Sequence, residues 1–273
     1  MISALPNLSR TPNYGGLVNW QHPANRGLLG WWLSLPQRRG GLAMNDLVGG
    51  YNSTLTNGAK WAGGLRPGGY GCLELDGTND YAVTPATRAT FSDATRGMSF
   101  SCMVQRRTTG ASTYLWGNRS RYGFYFLSTN VMRVTFFGVA DVSSTGSVTD
   151  TGWHHVAFTM DSAGATTFYI DGKSAGTGTM SGDGGSGSAA AMEMGSWIGD
   201  GAYSNQRQDD CRFYRRALTA GEVSELYRQS LLGNPSTLNW RSSNWSLGHP
   251  GAAAGGPSPF FVRPRMSGGM VGG

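Results

Sequence analysis

The fold is decided by the stretch Gly195-Ser196-Trp197-Ile198-Gly199-Asp200, which continues after a short loop as Gln208-Asp209-Asp210-Cys211-Arg212-Phe213-Tyr214-Arg215-Arg216-Ala217-Leu218. This stretch predicts two strands, the exit from the second strand and a short helix. In front of the helix, Thr219 precedes Glu222 at the spacing of a capping box, so each side chain can satisfy a free backbone N–H at the helix start.

The second strand carries two adjacent acids, Asp209 and Asp210. Neighbouring side chains on a strand point to opposite faces, so one of the two carboxylates is expected to face the interior. A buried carboxylate without a partner is costly, and it needs hydrogen-bond donors, an arginine or a cation. We therefore expect a compensated acid on the strand that closes the domain.

The composition favours one large β domain. The chain has 273 residues, 39% of them hydrophobic, which is enough for a full core. Its 43 glycines, 11% aromatic residues and only 14% charged residues are typical of many short strands that are joined by tight turns.

The charge pattern argues against direct binding of nucleic acid. The formal net charge is +6, and Lys60 and Lys173 are the two lysines among 22 basic residues. The arginines are scattered rather than collected in a long basic run, so scattered surface and interface arginines are the preferred explanation.

We expect no signal peptide and no membrane-spanning segment from the sequence. The first 16 residues lack the charged and apolar regions of a signal peptide, and no apolar run approaches the length of a membrane span. We expect synthesis in a cytoplasm and no membrane insertion. Cys72, Cys102 and Cys211 lie in predicted strands without CxxC spacing, which predicts buried free thiols.

Strand patterns recur between residues 27 and 232. Residues 98–106 alternate, with Met98, Phe100, Cys102 and Val104 on one face, and residues 153–160 are expected to bury Val156, Phe158 and Met160. Asp171-Gly172 suits a two-residue type I′ hairpin turn. Some dozen short strands and one late helix predict an all-β, two-sheet antiparallel jelly-roll sandwich.

The two ends of the chain have a different composition. Residues 1–26 and 233–273 are rich in Gly, Pro and Ser, so we expect an extended N-terminal arm and a C-terminal arm on either side of a 27–232 domain. Such segments become ordered by binding another surface. The expected assembly anchors are their aromatic residues Tyr14, Trp20, Trp240, Trp245, Phe260 and Phe261.

Six short motifs occur in an order that resembles the laminin G-like (pentraxin-like) domains of the concanavalin A-like lectin/glucanase superfamily. They are Leu75-Asp76-Gly77-Thr78-Asn79-Asp80-Tyr81, Met98-Ser99-Phe100-Ser101, Trp153-His154-His155-Val156-Ala157, Phe168-Tyr169-Ile170-Asp171-Gly172, Ile198-Gly199, and Asp210 to Leu218. The resemblance covers residues 27–230 and implies a jelly roll of two antiparallel sheets. The high glycine content of the chain and the arm at each end also resemble virion proteins of tailed phages.

The resemblance implies a function only loosely, because its members include glycan binders, adhesion modules, hydrolases and structural domains. Our leading hypothesis is a non-enzymatic virion structural or decoration protein, made in the host cytoplasm and anchored by its arms to a phage capsid protein or to copies of itself. An alternative is a carbohydrate-binding adhesin, and the two are compatible. A second alternative is a glycoside hydrolase.

The resemblance also implies a calcium site at the edge of the sandwich. Mapped by motif, its ligands would be Asp210 and a turn that contains Asp76, Gly77 and Asp80, since hard oxygen ligands suit Ca²⁺. The competing interpretation is that Asp209 or Asp210 pairs with an arginine such as Arg212 or caps a turn.

Candidate residues for the two alternative functions are aromatic residues and acids. Exposed rings stack on sugars, and the candidates are Trp116, Tyr122, Tyr125 and Tyr203, although aromatic residues in strands usually belong to the core. A hydrolase needs two carboxylates on one face, for which Glu74 and Asp76 are the best pair. His154 and His155 are interpreted as structural, because no carboxylate lies at a helpful sequence spacing.

Overall fold

The computed structural model describes residues 18–34, 42–48, 50–63, 71–87, 97–118, 122–181, 191–197, 201–232 and 236–238. The helical elements of these ranges are a 3₁₀ turn (Pro23–Asn25) and helix α1 (Ala220–Ser230). The strands are β1 (Leu28–Trp32), β2 (Ala43–Met44), β3 (Ser53–Thr56), β4 (Lys60–Gly63), β5 (Gly71–Asp76), β6 (Tyr81–Thr87), β7 (Met98–Arg106), β8 (Thr113–Asn118), β9 (Tyr122–Phe126), β10 (Val131–Phe136), β11 (Ala140–Ser147), β12 (Trp153–Met160), β13 (Ala165–Ile170), β14 (Lys173–Thr179), β15 (Ala191–Met194), β16 (Ser196–Trp197), β17 (Ala202–Tyr203) and β18 (Asn205–Tyr214).

The strands form two large antiparallel sheets and one small one. Sheet 1 has the order β14-β13-β12-β7-β18-β5-β4, with β1 also paired to β18. Sheet 2 has the order β11-β10-β9-β8-β15-β6-β3-β2, and β16 pairs with β17 alone. The predicted two-sheet antiparallel sandwich is therefore confirmed.

The hydrophobic core lies between sheets 1 and 2 and is rich in aromatic rings. Phe100 of sheet 1 and Phe124 of sheet 2 lie 5.8 Å apart between centroids, and Phe158 lies 5.1 Å from Phe124. The faces predicted for β7 and β12 are confirmed, because the residues named for each lie in this core. The three cysteines are buried and free, as expected.

Two local predictions at turns and caps are also confirmed. Asp171 and Gly172 both have positive φ, 49° and 74°, as a type I′ turn requires. At the start of α1, the Glu222 backbone N–H donates to Thr219 Oγ1 over 3.2 Å, and the Thr219 backbone N–H donates to Glu222 Oε2 over 2.9 Å.

Helix α1 packs on the outer face of sheet 1. The Ser230 hydroxyl donates to Met103 Sδ over 3.2 Å, and the Tyr227 ring lies 6.0 Å from the His155 ring. Met103 alternates along β7 with core residues, so this contact marks the side of the sheet that faces away from the core. No helix in the described part of the chain combines the length and apolarity that crossing a bilayer requires.

The described terminal residues meet beside α1. Val18 forms an antiparallel bridge with Leu238, and the Asn19 backbone N–H donates to the Thr237 carbonyl over 2.9 Å. The buried Asn25 amide donates to the same carbonyl over 2.9 Å. We call these contacts the terminal clasp.

The terminal clasp shifts the limits expected for the arms. Residues 18–26 and 236–238 are bound to the body of the sandwich, whereas the prediction assigned them to the arms. Of the predicted anchors, Trp20 is 47% exposed. Tyr14, Trp240, Trp245, Phe260 and Phe261 lie outside the described residues.

Candidate functional site

The outer face of sheet 2 carries aromatic residues that the core does not use. Along β9, Tyr122, Phe124 and Phe126 belong to the core, so the alternating positions Gly123 and Tyr125 point outward. Tyr125 pairs with Arg133 of β10 on one side and with Tyr114 of β8 on the other. These three residues therefore form one row across the outside of the sheet.

Four rings meet in this region, which we call the aromatic face: Tyr114, Tyr125, Phe137 and Trp197. Tyr114 stacks on Tyr125 with centroids 5.5 Å apart, and Trp197 lies 5.6 Å from Tyr114 and 5.9 Å from Tyr125. Phe137 follows β10 and lies 6.3 Å from Trp197. The Trp197 side chain is buried, the tyrosines are half-buried, and Phe137 is 57% exposed.

Two glycines make room for the Trp197 indole. Gly117 and Gly123 pair with each other across β8 and β9. A Cβ added at Gly123 would lie 2.3 Å from Trp197 Cζ3, and one at Gly117 would lie 3.2 Å from the same atom. The indole therefore lies directly on the backbone of the sheet, which is a common reason for glycine inside a strand.

Polar groups border the rings. The Arg133 guanidinium donates from Nη1 to Asp141 Oδ2 over 3.0 Å and from Nε to Ser143 Oγ over 3.0 Å. The Thr135 hydroxyl donates to Asp141 Oδ1. Burial raises the pKa of the Tyr125 hydroxyl, and its hydrogen bond with Arg133 opposes part of that rise.

This arrangement can recognise a sugar by two kinds of contact. A ring that is open to solvent on one side can cover the apolar C–H face of a sugar, as aromatic side chains do for other apolar partners. Planar donors and acceptors held in place by neighbours can then orient the hydroxyl groups, because little side-chain freedom is lost on binding.

The structure separates the four residues that were predicted to contact glycan. Tyr125 belongs to the aromatic face, and Tyr203 is half-buried on β17, 6.2 Å from Tyr81. The prediction is corrected for Trp116 and Tyr122, since both are only 2% exposed and lie in the core between the sheets. A sugar cannot reach those rings.

Sequence reasoning missed Tyr114, Phe137 and Trp197. One available signal was the pair of glycines in β8 and β9, since an isolated glycine in a strand indicates close approach of another group. The spacing of Tyr122 and Tyr125 was another, because residues three apart on a regular strand point to opposite faces.

The residues predicted to bind calcium lie in two separate places. Asp76 pairs with Asn205, and Asp210 lies five residues further along β18, which is roughly 16 Å at about 3.3 Å per residue. Within the turn, Asp76 Oδ1 accepts from the Thr78 backbone N–H over 2.7 Å, and Asp80 Oδ1 accepts from the Gly58 backbone N–H over 2.7 Å.

These positions prevent one ion from binding to Asp210 and to the turn at the same time. Among the described residues, no three His, Cys, Asp or Glu side chains are arranged to hold a metal ion. The structure therefore does not bring together the four predicted ligands Asp76, Gly77, Asp80 and Asp210.

Asp209 and Asp210 are both buried, at 0% and 5% exposure. The register of β18 shifts between Asp209 and Arg212, and Asp210 has φ 52°. Arg212 donates from Nε to Asp210 Oδ1 over 2.8 Å, and Trp31 Nε1 donates to the same oxygen over 2.6 Å. The Ser34 backbone N–H donates to Asp209 over 2.8 Å. The expected compensation by an arginine is confirmed for Asp210.

The acids considered for hydrolysis are engaged in other contacts. Glu74 accepts from Arg207 Nε over 2.6 Å and lies 3.3 Å from Lys60 Nζ. Burial alone would raise the pKa of Glu74, but the hydrogen bonds from Arg207 and Lys60 outweigh it and hold the pKa below its ordinary value. A glycosidase acid needs the opposite shift.

His154 lies between two carboxylates, which the sequence spacing did not suggest. Its Nδ1 is 2.8 Å from Asp171 Oδ2, and its Nε2 is 3.1 Å from Asp150 Oδ1. The hydrogen bond to Asp171 is the largest cause that raises the pKa of His154, to about 9; burial opposes the rise and Asp150 adds to it. An imidazolium that is bound to both Asp171 and Asp150 stabilises the turns that carry these two acids. This agrees with a structural role for His154.

Comparison with known families agrees with this fold. The family model that matches the chain is a laminin G model described as the Concanavalin A-like lectin/glucanases superfamily, and it matches residues 76–224. The chain therefore belongs to this superfamily. A search of curated protein sequences found no match.

Similar solved structures include toxin binding domains and a sialidase. The binding domain of Paraclostridial Mosquitocidal Protein 1 has a TM-score of 0.60 at 14% identity, over 75% of this chain and 52% of that one. The botulinum neurotoxin serotype D/C binding domain has a TM-score of 0.57 at 13% identity, over 76% and 53%. A Trypanosoma rangeli sialidase mutant has a TM-score of 0.58 at 17% identity, over 77% and 34%. The chain thus spans about half or a third of these proteins, and the likeness concerns the fold.

Proposed function

We propose that this sandwich is a non-enzymatic carbohydrate-binding module that binds sugar on its aromatic face. The observation that carries the proposal is the exposed Phe137 ring beside Trp197, with the Arg133 and Asp141 side chains held together on the same outer face of sheet 2. Trp197 and the outward tyrosines are not needed to fill the space between the sheets, since the core cluster does not include them.

The comparisons are compatible with this role. Two of the similar structures are binding domains of toxins, and the superfamily name includes lectins. Because the identities are 14% and 13%, the support for the proposal comes from the side chains of the aromatic face rather than from these neighbours.

The experiment that tests the proposal is a glycan and polysaccharide panel with the full chain and with Phe137→Ala. Phe137 is a surface residue, so its removal is expected to weaken binding at least about tenfold while leaving the melting temperature nearly unchanged. Val139→Ala is the matched control, because Val139 is 53% exposed on the same turn but belongs outside the ring cluster. Equal binding by wild type and Phe137→Ala would contradict the proposal, as would the absence of any bound glycan.

The absence of catalysis is part of this proposal. It is supported by Glu74, which is ion-paired with Arg207 and Lys60, and by Asp76, which caps the Thr78 backbone N–H. We expect no release of sugar from any polysaccharide that the protein binds, measured as new reducing ends. Hydrolysis that disappears in Glu74→Gln would refute this part and favour the glycoside hydrolase.

The terminal clasp favours a second, compatible function: attachment of the module to a phage virion through its arms. Val18 and Leu238, the described residues next to the two arms, are bridged to each other. The clasp lies beside α1 on sheet 1, whereas the aromatic face lies on the outside of sheet 2. A capsid protein or a neighbouring copy that binds beside the clasp would therefore leave the aromatic face accessible.

A chain that ends at Leu238 tests the attachment role. It retains the terminal clasp, so it is expected to keep the melting temperature and glycan binding of the full chain and to be missing from purified particles. Normal incorporation of the shortened chain into particles would contradict attachment by the C-terminal arm and leave the glycan proposal untouched.

A further inference from the structure

The charged residues next to the aromatic face indicate which class of sugar it takes. Arg133 points outward from β10 and pairs with Tyr125 on one neighbouring strand and with Ser143 on the other. It is the cation that the described residues place directly beside the rings. Its accessibility therefore decides whether an acidic sugar can form an ion pair there.

Asp141 already neutralises this cation. Its Oδ2 lies 3.0 Å from Arg133 Nη1, and its Oδ1 is held by the Thr135 hydroxyl. Arg133 Nε is occupied by Ser143. Because this ion pair is already assembled within the chain, a sugar carboxylate meets a guanidinium whose charge is neutralised, and it gains little from an ion pair there.

The charges beside the rings give an anion no net attraction. Arg133 and Asp141 carry opposite formal charges 3.0 Å apart, so a carboxylate or sulfate that approaches them finds no net positive charge.

A neutral sugar meets a different surface. Carboxylate oxygens have additional lone pairs that accept sugar hydroxyls, and a guanidinium has five N–H donors, which is more than Ser143, Asp141 and Tyr125 occupy here. The Arg133–Asp141 pair thus offers a donor and an acceptor in fixed geometry beside the Tyr125 ring.

We propose that the aromatic face binds neutral sugars and that the pairing of Asp141 with Arg133 excludes acidic ones. This inference rests on the proposed glycan binding and specifies its ligand class. Asp141 acts as a specificity-determining residue, because it withdraws the guanidinium from anionic ligands.

The test uses matched pairs of immobilised polysaccharides and glycoproteins: hydroxyethylcellulose against carboxymethylcellulose, dextran against dextran sulfate, and the glycoprotein asialofetuin against fetuin. The full-length wild type is expected to bind the neutral member of at least one pair about tenfold more tightly than the acidic member. Asp141→Asn releases the Arg133 charge, so it is expected to strengthen binding to the acidic member about tenfold. Asp141 is 47% exposed, so the variant is expected to fold.

The double variant Asp141→Asn with Arg133→Gln separates a true charge effect from a general change in the surface. It is expected to lose the affinity for acidic sugar that Asp141→Asn gains. Equal or tighter binding of the acidic member by wild type, or an unchanged preference in Asp141→Asn, would overturn the inference while leaving glycan binding in place. Failure to bind either member of every pair would instead count against the proposed function itself.

Discussion

Raising the pH should destabilise the fold through His154, and the structure allows the size of the effect to be worked out. The imidazole lies 2.8 Å from Asp171 and 3.1 Å from Asp150, and its side chain is 18% exposed. Its pKa is raised to about 9 from an ordinary value of 6.5. The folded chain therefore holds this proton more tightly than the unfolded chain does.

The sign and the size of the pH effect on stability follow from the difference between the pKa values of His154 in the folded and unfolded chain. Because the pKa is higher in the folded state, the stabilisation is fully present below pH 6.5 and is lost as the pH rises through 9. At about 1.36 kcal/mol for each unit of pKa difference, the contribution to the free energy of unfolding is about 3 kcal/mol.

The assay is urea unfolding of the wild type and of His154→Gln between pH 6 and pH 10. Other groups titrate in both proteins, so the informative quantity is the difference between their free energies of unfolding. This difference is expected to be largest near pH 6 and to shrink by about 3 kcal/mol by pH 10. A difference that is constant with pH, or that grows as the pH rises, would refute the ion-pair account of His154.

Three further substitutions, one of them with a matched control, test the packing, the buried ion pair and the helix cap. Gly123→Ala places a Cβ 2.3 Å from the Trp197 indole, so it should cost about 1–3 kcal/mol in urea unfolding and weaken glycan binding, whereas Gly221→Ala in α1, whose added Cβ meets nothing nearer than 4.0 Å, should stabilise. An unchanged stability in Gly123→Ala would contradict the position of the indole. Asp210→Asn leaves the buried Arg212 charge uncompensated and should cost about 3–5 kcal/mol; a loss below about 1 kcal/mol would argue against the pair. Thr219→Ala removes the helix cap and should cost about 1 kcal/mol, and an unaffected melting temperature would contradict the capping box.

Features that depend only on residues close together in the sequence could be predicted. The Asp171-Gly172 turn needs two positive φ angles, which Asp and Gly tolerate, and the Thr219–Glu222 box needs only a spacing of three. The two-sheet sandwich could be predicted because strand alternation determines which residues face the core.

The position of the candidate site could not be predicted from local sequence patterns, because it depends on strand register and on contacts between strands that are far apart in the sequence. A register shift between Tyr114 and Trp116 lets both Leu115 and Trp116 enter the core, so simple alternation misplaces the Trp116 ring. Trp197 reaches β8 and β9 from a strand about 75 residues further along the chain, and such tertiary contacts follow from sheet order rather than from composition.

The calcium and histidine assignments show the same dependence on register. The resemblance placed Asp210 with the Asp76 turn, but the pairing of β18 with β5 sets them far apart. The pairing of β12 with β13 brings His154 to Asp171 although 17 residues separate them in sequence.

If sugar binds to the outer face of sheet 2, chemical-shift mapping will locate it there. The isotope-labelled full chain would be titrated with the polysaccharide fragment that binds best in the panel. We expect amide shifts centred on Tyr125, Arg133, Phe137 and Asp141, with α1 and the terminal clasp unchanged. Shifts confined to sheet 1 or to α1, with the residues of the aromatic face unperturbed, would contradict the account.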